Sequence, residues 1–440
     1  MTFNSQQTFL VFDFVKNKSF EEIKTICQQE HIKIRELDNE DSNQLYLLVL
    51  DEDLLLRNSD YYKTLSEKIE TNQTELNLAK ENGNLEDYKS ILEILKKERQ
   101  DLSNYLTQTK LTNQMSDLQL MLNGVILEKE TNSPVCMCYK RMFDVSTKVD
   151  EIETLKYNNI TVEYCEDGTV MRLYHYQNQW FTATRRCIDA KYSYWSGLQN
   201  FNEMFWDIIE DKELFLSKLD KNLTYFFVLK HMDNRIVIKN QESSLVYLGS
   251  VNNLTLEESD KLLYSQHNIT TTERANLLDS FNGEENVNLS NLVYKLKNNS
   301  KRGLIITTND GNKYKLDFEE FTYLKELRGN TPYVRMRILE LLSNKEKLSS
   351  FMQNYSEYTM TYTMITMKLN ELVKYIHKLY IDTHVKRRFV IDAENINFKV
   401  IKQLHNKFKE TKTPIMYNDV EGILEKTQPY YLKTLLGWTH

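Results

Sequence analysis

The 440-residue sequence predicts an α+β protein built on antiparallel sheets. Short apolar runs separated by turn residues fill the stretch from 113 to 330, as hairpin-connected strands do. Apolar residues recur at helical spacing on either side of it, over 59–112 and from 331 onward. No Gly-rich phosphate loop follows the early strands, which excludes a dinucleotide-binding or P-loop unit.

Composition sets the broad class. With 41% hydrophobic and 27% charged residues, the chain reads as a soluble globular protein of two or three domains. Its 5 cysteines form no C-x-x-C pair, which argues against a zinc site and for reduced thiols in a cytoplasmic setting, host cytoplasm or virion if the chain is viral. Met1 to Leu10 is polar with no basic start, so no signal peptide is expected. No apolar run reaches membrane-spanning length, and no membrane partner is expected. Only 5 alanines stand against 27 tyrosines, a bias that fits an AT-rich, viral type of genome.

The elements follow in four blocks. Residues 1–58 read as β-α-β: a strand at Thr8–Val15, a helix opened by a Ser19/Glu22 capping box with Ile23, Ile26 and Cys27 on its apolar face, and a strand at Gln44–Leu50. Residues 59–112 read as a helical hairpin. Tyr62, Leu65, Ile69, Leu76 and Ala79 make one stripe, and Leu85, Tyr88, Leu92, Leu95, Leu102 and Leu106 the other, with a break at 81–84. It is a structural insertion or an arm that docks a protein partner. Residues 113–330 form the strand-rich core, whose Asn309-Asp310-Gly311-Asn312 is a hairpin turn. Residues 331–440 form a helical domain with Ile365, Leu369, Leu372, Ile376 and Leu379 on one face, further helices around Leu404 and Phe408 and around Ile423, Leu424 and Leu435, and a Met/Tyr cluster at 352–367 as core filler.

Charge is placed unevenly. The net charge is −7, yet residues 331–440 carry 17 Lys+Arg against 11 Asp+Glu, and 374–412 carry 10 against 4, with His377, His384 and His405 besides. A surface that contacts RNA has this balance, and so does an ordinary solvated helix face.

The most distinctive run is Cys165-Glu166-Asp167-Gly168-Thr169, a turn leading into a strand, with Trp180 to Arg186 on a neighbouring strand. The order of segments resembles the covalent nucleotidyltransferase superfamily, and most of all the phage-type RNA ligases of the T-even phages. In that family a K-E-D-G-S/T motif carries the lysine that attacks the nucleotide α-phosphate; here Cys165 stands in its place. Asn123-Gly124-Val125-Ile126-Leu127-Glu128 and Cys138-Tyr139-Lys140-Arg141-Met142-Phe143-Asp144 resemble the lead-in to it. Tyr225 to Val237 resembles the third motif, Arg302-Gly303-Leu304-Ile305 the fourth, and Lys313-Tyr314-Lys315 with Tyr323-Leu324-Lys325 the fifth. The resemblance spans roughly 120–330. It also fits the bias toward proteins of large cytoplasmic DNA viruses.

The resemblance implies an antiparallel nucleotidyltransferase core and an ancestral role in ATP-dependent RNA end joining, with ATP and Mg²⁺ required if the chain is active. The family's third-motif glutamate aligns with Val228 and its fourth-motif glutamate with Arg302, while Lys313 and Lys315 keep their charge. Three readings follow. In the first, lysine adenylylation is lost and the cleft binds nucleotide, RNA ends or a protein partner. Lys140, Glu166, Asp167, Gly168, Arg172, Arg185, Arg235, Lys313 and Lys315 are its candidate nucleotide or RNA ligands. In the second, Cys165 or a relocated lysine such as Lys140 is the nucleophile; in the third, the fold is reused as a docking subunit. Each residue has a plainer role beside the sharper one. Cys165 is otherwise a small buried hydrophobe, Glu166 and Asp167 serve the turn, Arg235 makes a surface ion pair, and Lys313 and Lys315 line a solvated edge. His175 and His231 have no second ligand at metal spacing, and no metal site is expected.

Overall fold

Leu45–Leu50 is a run of six residues with no polar alternation, and a strand of that kind is stable only when covered on both faces. The computed structural model describes the chain except residues 1–13, 17, 37–43, 83, 109–115, 140–141, 148, 196–198, 260–267, 278–280, 282–285 and 439–440. In it Leu45–Leu50 (β2) is buried along its whole length. It lies in a four-stranded antiparallel sheet, β1-β2-β3-β4, with β1 (Ile32–Glu36), β3 (Ile126–Glu128) and β4 (Pro134–Cys136). The helix Phe20–Gln29 opens on the expected capping box, Ser19 with Glu22.

Among the described residues, the block before residue 58 departs from the expected β-α-β order at two places. Phe14 and Val15, the described end of the expected first strand, are helical, and Thr8–Asp13 lies outside the described residues. β1 and β2 pair antiparallel, so the helix runs into a hairpin whose first strand, β1, is an addition to the expected elements. β1 escaped the sequence reading because three of its five residues, Lys33, Arg35 and Glu36, are charged.

Two further sheets form the centre. β7 (Thr169–Tyr176), β8 (Gln179–Ala183), β9 (Leu223–Lys230), β10 (Ser244–Asn252) and β11 (Glu258–Ser259) run in the order β11-β10-β9-β7-β8, and β12 (Ile269–Thr271) pairs parallel with β10. β5 (Met142–Asp144), β6 (Ile160–Cys165), β13 (Gly303–Thr308) and β14 (Lys313–Asp317) run in the order β5-β14-β13-β6, antiparallel except for β5 with β14. β13 and β14 close at the expected 309–312 turn. The fold is α+β with mainly antiparallel sheets.

Alternation along β9 sets the two sheets' roles. Tyr225, Phe227 and Leu229 pack with the helix Phe201–Ile208, whose Met204, Phe205 and Ile208 are buried in the same cluster. Phe226 and Lys230 point the other way, toward β6 and its turn.

The hairpin over 59–112 forms as two helices, Asp60–Glu81 and Leu85–Gln108. Leu65, Leu76, Ala79 and Leu95 are buried, and polar side chains tie the helices together: Asn72 to Glu98 at 2.8 Å and Arg99 to Gln73 at 2.7 Å. The side chains of Leu85 and Leu106 lie outside the described residues.

The chain divides into two compact units, 1–318 and 319–440. The helix Glu319–Arg328, which carries the Tyr323-Leu324-Lys325 of the expected fifth motif, therefore belongs to the second unit and not to the core. That unit is helical. Ile365, Leu372 and Ile376 of the helix Thr359–Tyr380 bury against Phe351, Ile401, Leu404, Val420 and Leu424. The Met/Tyr cluster divides: Met352, Tyr358 and Tyr362 pack on this core, whereas Met360, Met364 and Met367 are exposed, as is Phe408. Spacings of four and three put the three methionines on one helix face, opposite the buried one.

Candidate nucleotide cleft

Strand pairing in the β5-β14-β13-β6 sheet sets side chains in rows, because residues directly opposite share a face. Cys165, Gly303 and Asp317 form one row. Glu163, Ile305, Lys315 and Asp144 form the next, and Thr161, Thr307, Lys313 and Met142 the third. The sequence-predicted Cys165, Lys313 and Lys315 thus come to one sheet face.

Between this face and the Phe226 face of the other sheet is a cavity of about 450 Å³, lined among others by Thr161, Glu163, Thr307, Lys313, Tyr139 and Phe226. That size suits a nucleotide or similar small ligand. Lys313 Nζ lies 3.4 Å from the Tyr139 hydroxyl and 5.2 Å from the centre of its ring. Burial pulls the Lys313 ammonium down, but Tyr139, Glu258 and Glu163 outweigh it and raise its pKa, so it is charged at neutral pH. Arg274 and Thr272 also line the cavity and hold Glu163, at 3.5 and 2.8 Å.

Cys165 sits beyond the cavity lining, at the end of β6, and its carbonyl accepts the Arg302 amide at 2.9 Å. Burial pushes its thiol up to about 11 despite the opposing pull of Arg302 and Lys315. Such a thiol is protonated at neutral pH and a poor nucleophile. The Arg302 guanidinium makes a two-pronged pair with Asp317, Nε to Oδ1 at 2.8 Å and Nη2 to Oδ2 at 3.1 Å. Lys315 Nζ approaches the same carboxylate at 3.6 Å.

The turn after Cys165 is built for structure. Asp167 is buried and accepts the Val237 and Ile238 amides at 2.9 and 2.8 Å, pinning the 231–240 loop; burial nevertheless raises its pKa. Gly168 is required because a Cβ there would come within 2.5 Å of the Leu229 carbonyl oxygen. Glu166, with its side chain 5% exposed, is clamped by two lysines, Lys230 at 2.9 Å and Lys301. Lys301 also reaches Glu273 at 3.3 Å; burial alone would lower its pKa, but the two carboxylates raise it.

The other predicted ligands lie elsewhere. Arg172 is 2% exposed, and its guanidinium donates to the carbonyls of Gly124, Met137 at 3.2 Å and Thr184 at 2.6 Å. It knits β7 to the loops beside β3, β4 and β8 and does not face the cleft ligand space. Arg185 is exposed, 3.7 Å from Glu52, outside the cavity lining. Arg235 donates to the Val237 carbonyl at 2.9 Å, within its own loop. Lys140 lies outside the described residues. Sequence reasoning missed Lys230, Lys301 and Arg274. Lys230 ends the third-motif strand and Lys301 precedes the fourth motif, so basic residues flanking those motifs were the available signal.

The divalent metal that the resemblance implies does not fit these residues. Val228, in the third-motif position, has no ligand atom, and the fourth-motif position holds a cation. Glu166 and Asp317, carboxylates of the kind Mg²⁺ prefers, are each engaged by two basic side chains. Among the described residues no group of three His, Cys, Asp or Glu side chains is placed to hold an ion, and no helix is long and apolar enough to cross a membrane.

No family model matches the sequence. Two viral proteins are similar to it. One, an immediate-early protein ICP-46 homolog of Invertebrate iridescent virus 6, is 24% identical over 335 residues, covering 71% of this chain and 69% of that protein. Its counterpart in Invertebrate iridescent virus 3 is 22% identical over 293 residues, covering 62% of each. Among solved structures, an archaeal ATP-dependent RNA ligase overlaps 53% of this chain and 60% of its own at 10% identity and a TM-score of 0.33. A putative ATP-dependent DNA ligase from Aquifex aeolicus overlaps 89% and 81% at 9% identity and a TM-score of 0.36. A Naegleria gruberi RNA ligase solved with AMP and Mn overlaps 43% and 57% at 13% identity and a TM-score of 0.30. TM-scores of this size mark partial overlap only, and the chemistry of the cleft stands on its own residues.

Proposed function

We propose that this chain is an RNA ligase-like protein that binds a nucleotide in its cleft without becoming covalently attached to it. The row Cys165–Gly303–Asp317, with Arg302 paired at its end, carries this reading. Where the resembled family sets a reactive lysine and a metal-holding glutamate, this chain sets a protonated thiol and a guanidinium. The neighbouring lysines are no substitute: Lys230 and Lys301 both point at Glu166, and the Glu166 and Glu273 carboxylates raise the Lys301 pKa, whereas a nucleophilic lysine must be free of its proton. What the cleft retains is binding chemistry, with Lys313 and Arg274 for phosphate and Tyr139 and Phe226 for a base.

The expected ligand is ATP or a related nucleoside phosphate. Retention of labelled ATP on a filter under native conditions measures it. Lys313→Ala weakens retention by about tenfold, the effect of one lost charge-assisted contact. Unchanged affinity in that variant removes the cavity from the account.

The second unit extends the reading to RNA. Lys374, Lys378, Lys386, Arg387, Arg388, Lys399, Lys402, Lys409 and Lys412 are all exposed. A single-stranded RNA held by such groups releases condensed counterions, so log affinity falls against log salt with a slope of about −0.7 per phosphate contacted. A salt titration of oligonucleotide binding reads that slope, and salt-independent binding contradicts the assignment.

A further inference from the structure

We infer that the second unit holds RNA as a single strand, stacking an unpaired base on a ladder of rings, Tyr380, His384, His405 and Phe408, with Lys402 and Lys409 on the phosphates beside it. This inference rests on the RNA-binding reading above and names the place and form of the strand. The ladder joins two helices. His384 lies in the wide π turn Ile381–Val385 that ends the helix Thr359–Tyr380, and such turns gather at functional sites. His405 and Phe408 lie on the helix Phe398–Thr411. The Tyr380 and His384 rings stack with centres 5.1 Å apart and planes at 8°. His384 and His405 meet at 4.3 Å, tilted by 43°, and His405 and Phe408 lie 6.3 Å apart at 22°.

The ladder is closed at one end and open at the other. Tyr380 is buried in the helical core, whereas Phe408 is 37% exposed, so a flat apolar ring meets solvent at the outer end. Burial and the nearby Lys409 ammonium hold the pKa of both histidines below the usual value. At neutral pH they are uncharged rings, and the charge beside them is that of the lysines. Spacings of three and four put Lys402, His405, Phe408 and Lys409 on one helix face. Both lysines are exposed, and among the described residues neither forms an ion pair. Other cations occupy the carboxylates of Asp382, which takes Lys386 at 3.8 Å and Arg388 at 3.2 Å, and of Asp419, which takes Lys407 at 2.6 Å. Glu410 follows Lys409 in sequence but lies further round the helix. Unpaired lysines beside an open ring match a single strand, whose backbone the lysines track and whose bases stack on the ring. A duplex offers the lysines its phosphates but keeps its bases stacked on one another. That difference separates the ladder from an ordinary basic surface, which holds either form.

Anisotropy of a short dye-labelled RNA, single-stranded or annealed to its complement, tests this with the full-length protein and variants checked for native circular dichroism. Phe408→Ala weakens single-strand binding by about tenfold, the size of one lost base–ring stack, and leaves duplex binding and the salt slope as in the wild type. Phe408→Leu keeps an apolar side chain beside His405 without the ring and shows the same loss, whereas Phe408→Trp binds as the wild type does. Lys409→Gln weakens binding of both RNAs and makes the single-strand salt slope shallower by about 0.7. Wild-type single-strand affinity in Phe408→Leu, or an equal loss on both RNAs, overturns the inference and leaves RNA binding standing. No binding of either RNA at low salt overturns the RNA reading itself.

Discussion

Arg172→Met lowers the free energy of unfolding by about 3–5 kcal/mol, the cost of leaving three inward-facing carbonyls without their donor. The wild-type guanidinium satisfies three carbonyls, those of Gly124, Met137 and Thr184, that are brought together from separate parts of the chain. Methionine fills much of the same volume but donates nothing, so three buried acceptors lose their partner at once. Arg172→Lys rescues little, because a single ammonium on a flexible stem does not reproduce the planar fork. Urea unfolding of the three proteins measures this. A variant of near wild-type stability that has lost nucleotide retention instead makes Arg172 a ligand, as the sequence alone suggests.

Gly303→Ala is the second large effect, about 3 kcal/mol of destabilisation from forced overpacking. A Cβ on Gly303 would lie 1.9 Å from the Leu316 carbonyl oxygen and 2.8 Å from the Asp317 Cα. Both are backbone atoms of the adjoining strand, so no side-chain rotation relieves the clash and β13 must part from β14. That separation displaces Lys313, Lys315 and Asp317 together, and nucleotide retention falls with stability. Urea unfolding and amide exchange at Leu304 and Leu316 read the two consequences. Wild-type protection at both amides contradicts the account.

These two residues also mark how far the sequence could be read. Gly303 is legible as a motif glycine, and its structural reason, the close approach of β14, agrees with the motif's place on a paired strand. The strands carrying Cys165, Thr169, Lys230, Gly303 and Lys313, the hairpin helices and the helical second unit all follow from local periodicity and turn chemistry. From sequence Arg172 reads as an anion ligand because it sits on a motif strand. Its burial depends on Gly124, Met137 and Thr184, and nothing in its neighbourhood in sequence announces those partners. The clamp on Glu166 is hidden for the same reason, since Lys230 and Lys301 lie 64 and 135 residues away. Exposure of Met360, Met364 and Met367 was missed because a helix with apolar residues on two faces does not say which face packs.

The central claim is that the cleft binds a nucleotide and does not bond to it. One incubation tests both halves: the full-length protein with α-labelled ATP, and separately GTP, in EDTA and in Mn²⁺, each divided between a native filter and a denaturing gel. The account predicts label retained on the filter, weakened in Lys313→Ala, and no labelled band on the gel for the wild type or for Cys165→Lys. A labelled band that disappears in Cys165→Ala or Lys140→Ala establishes a covalent nucleotidyltransferase with a relocated nucleophile and contradicts it.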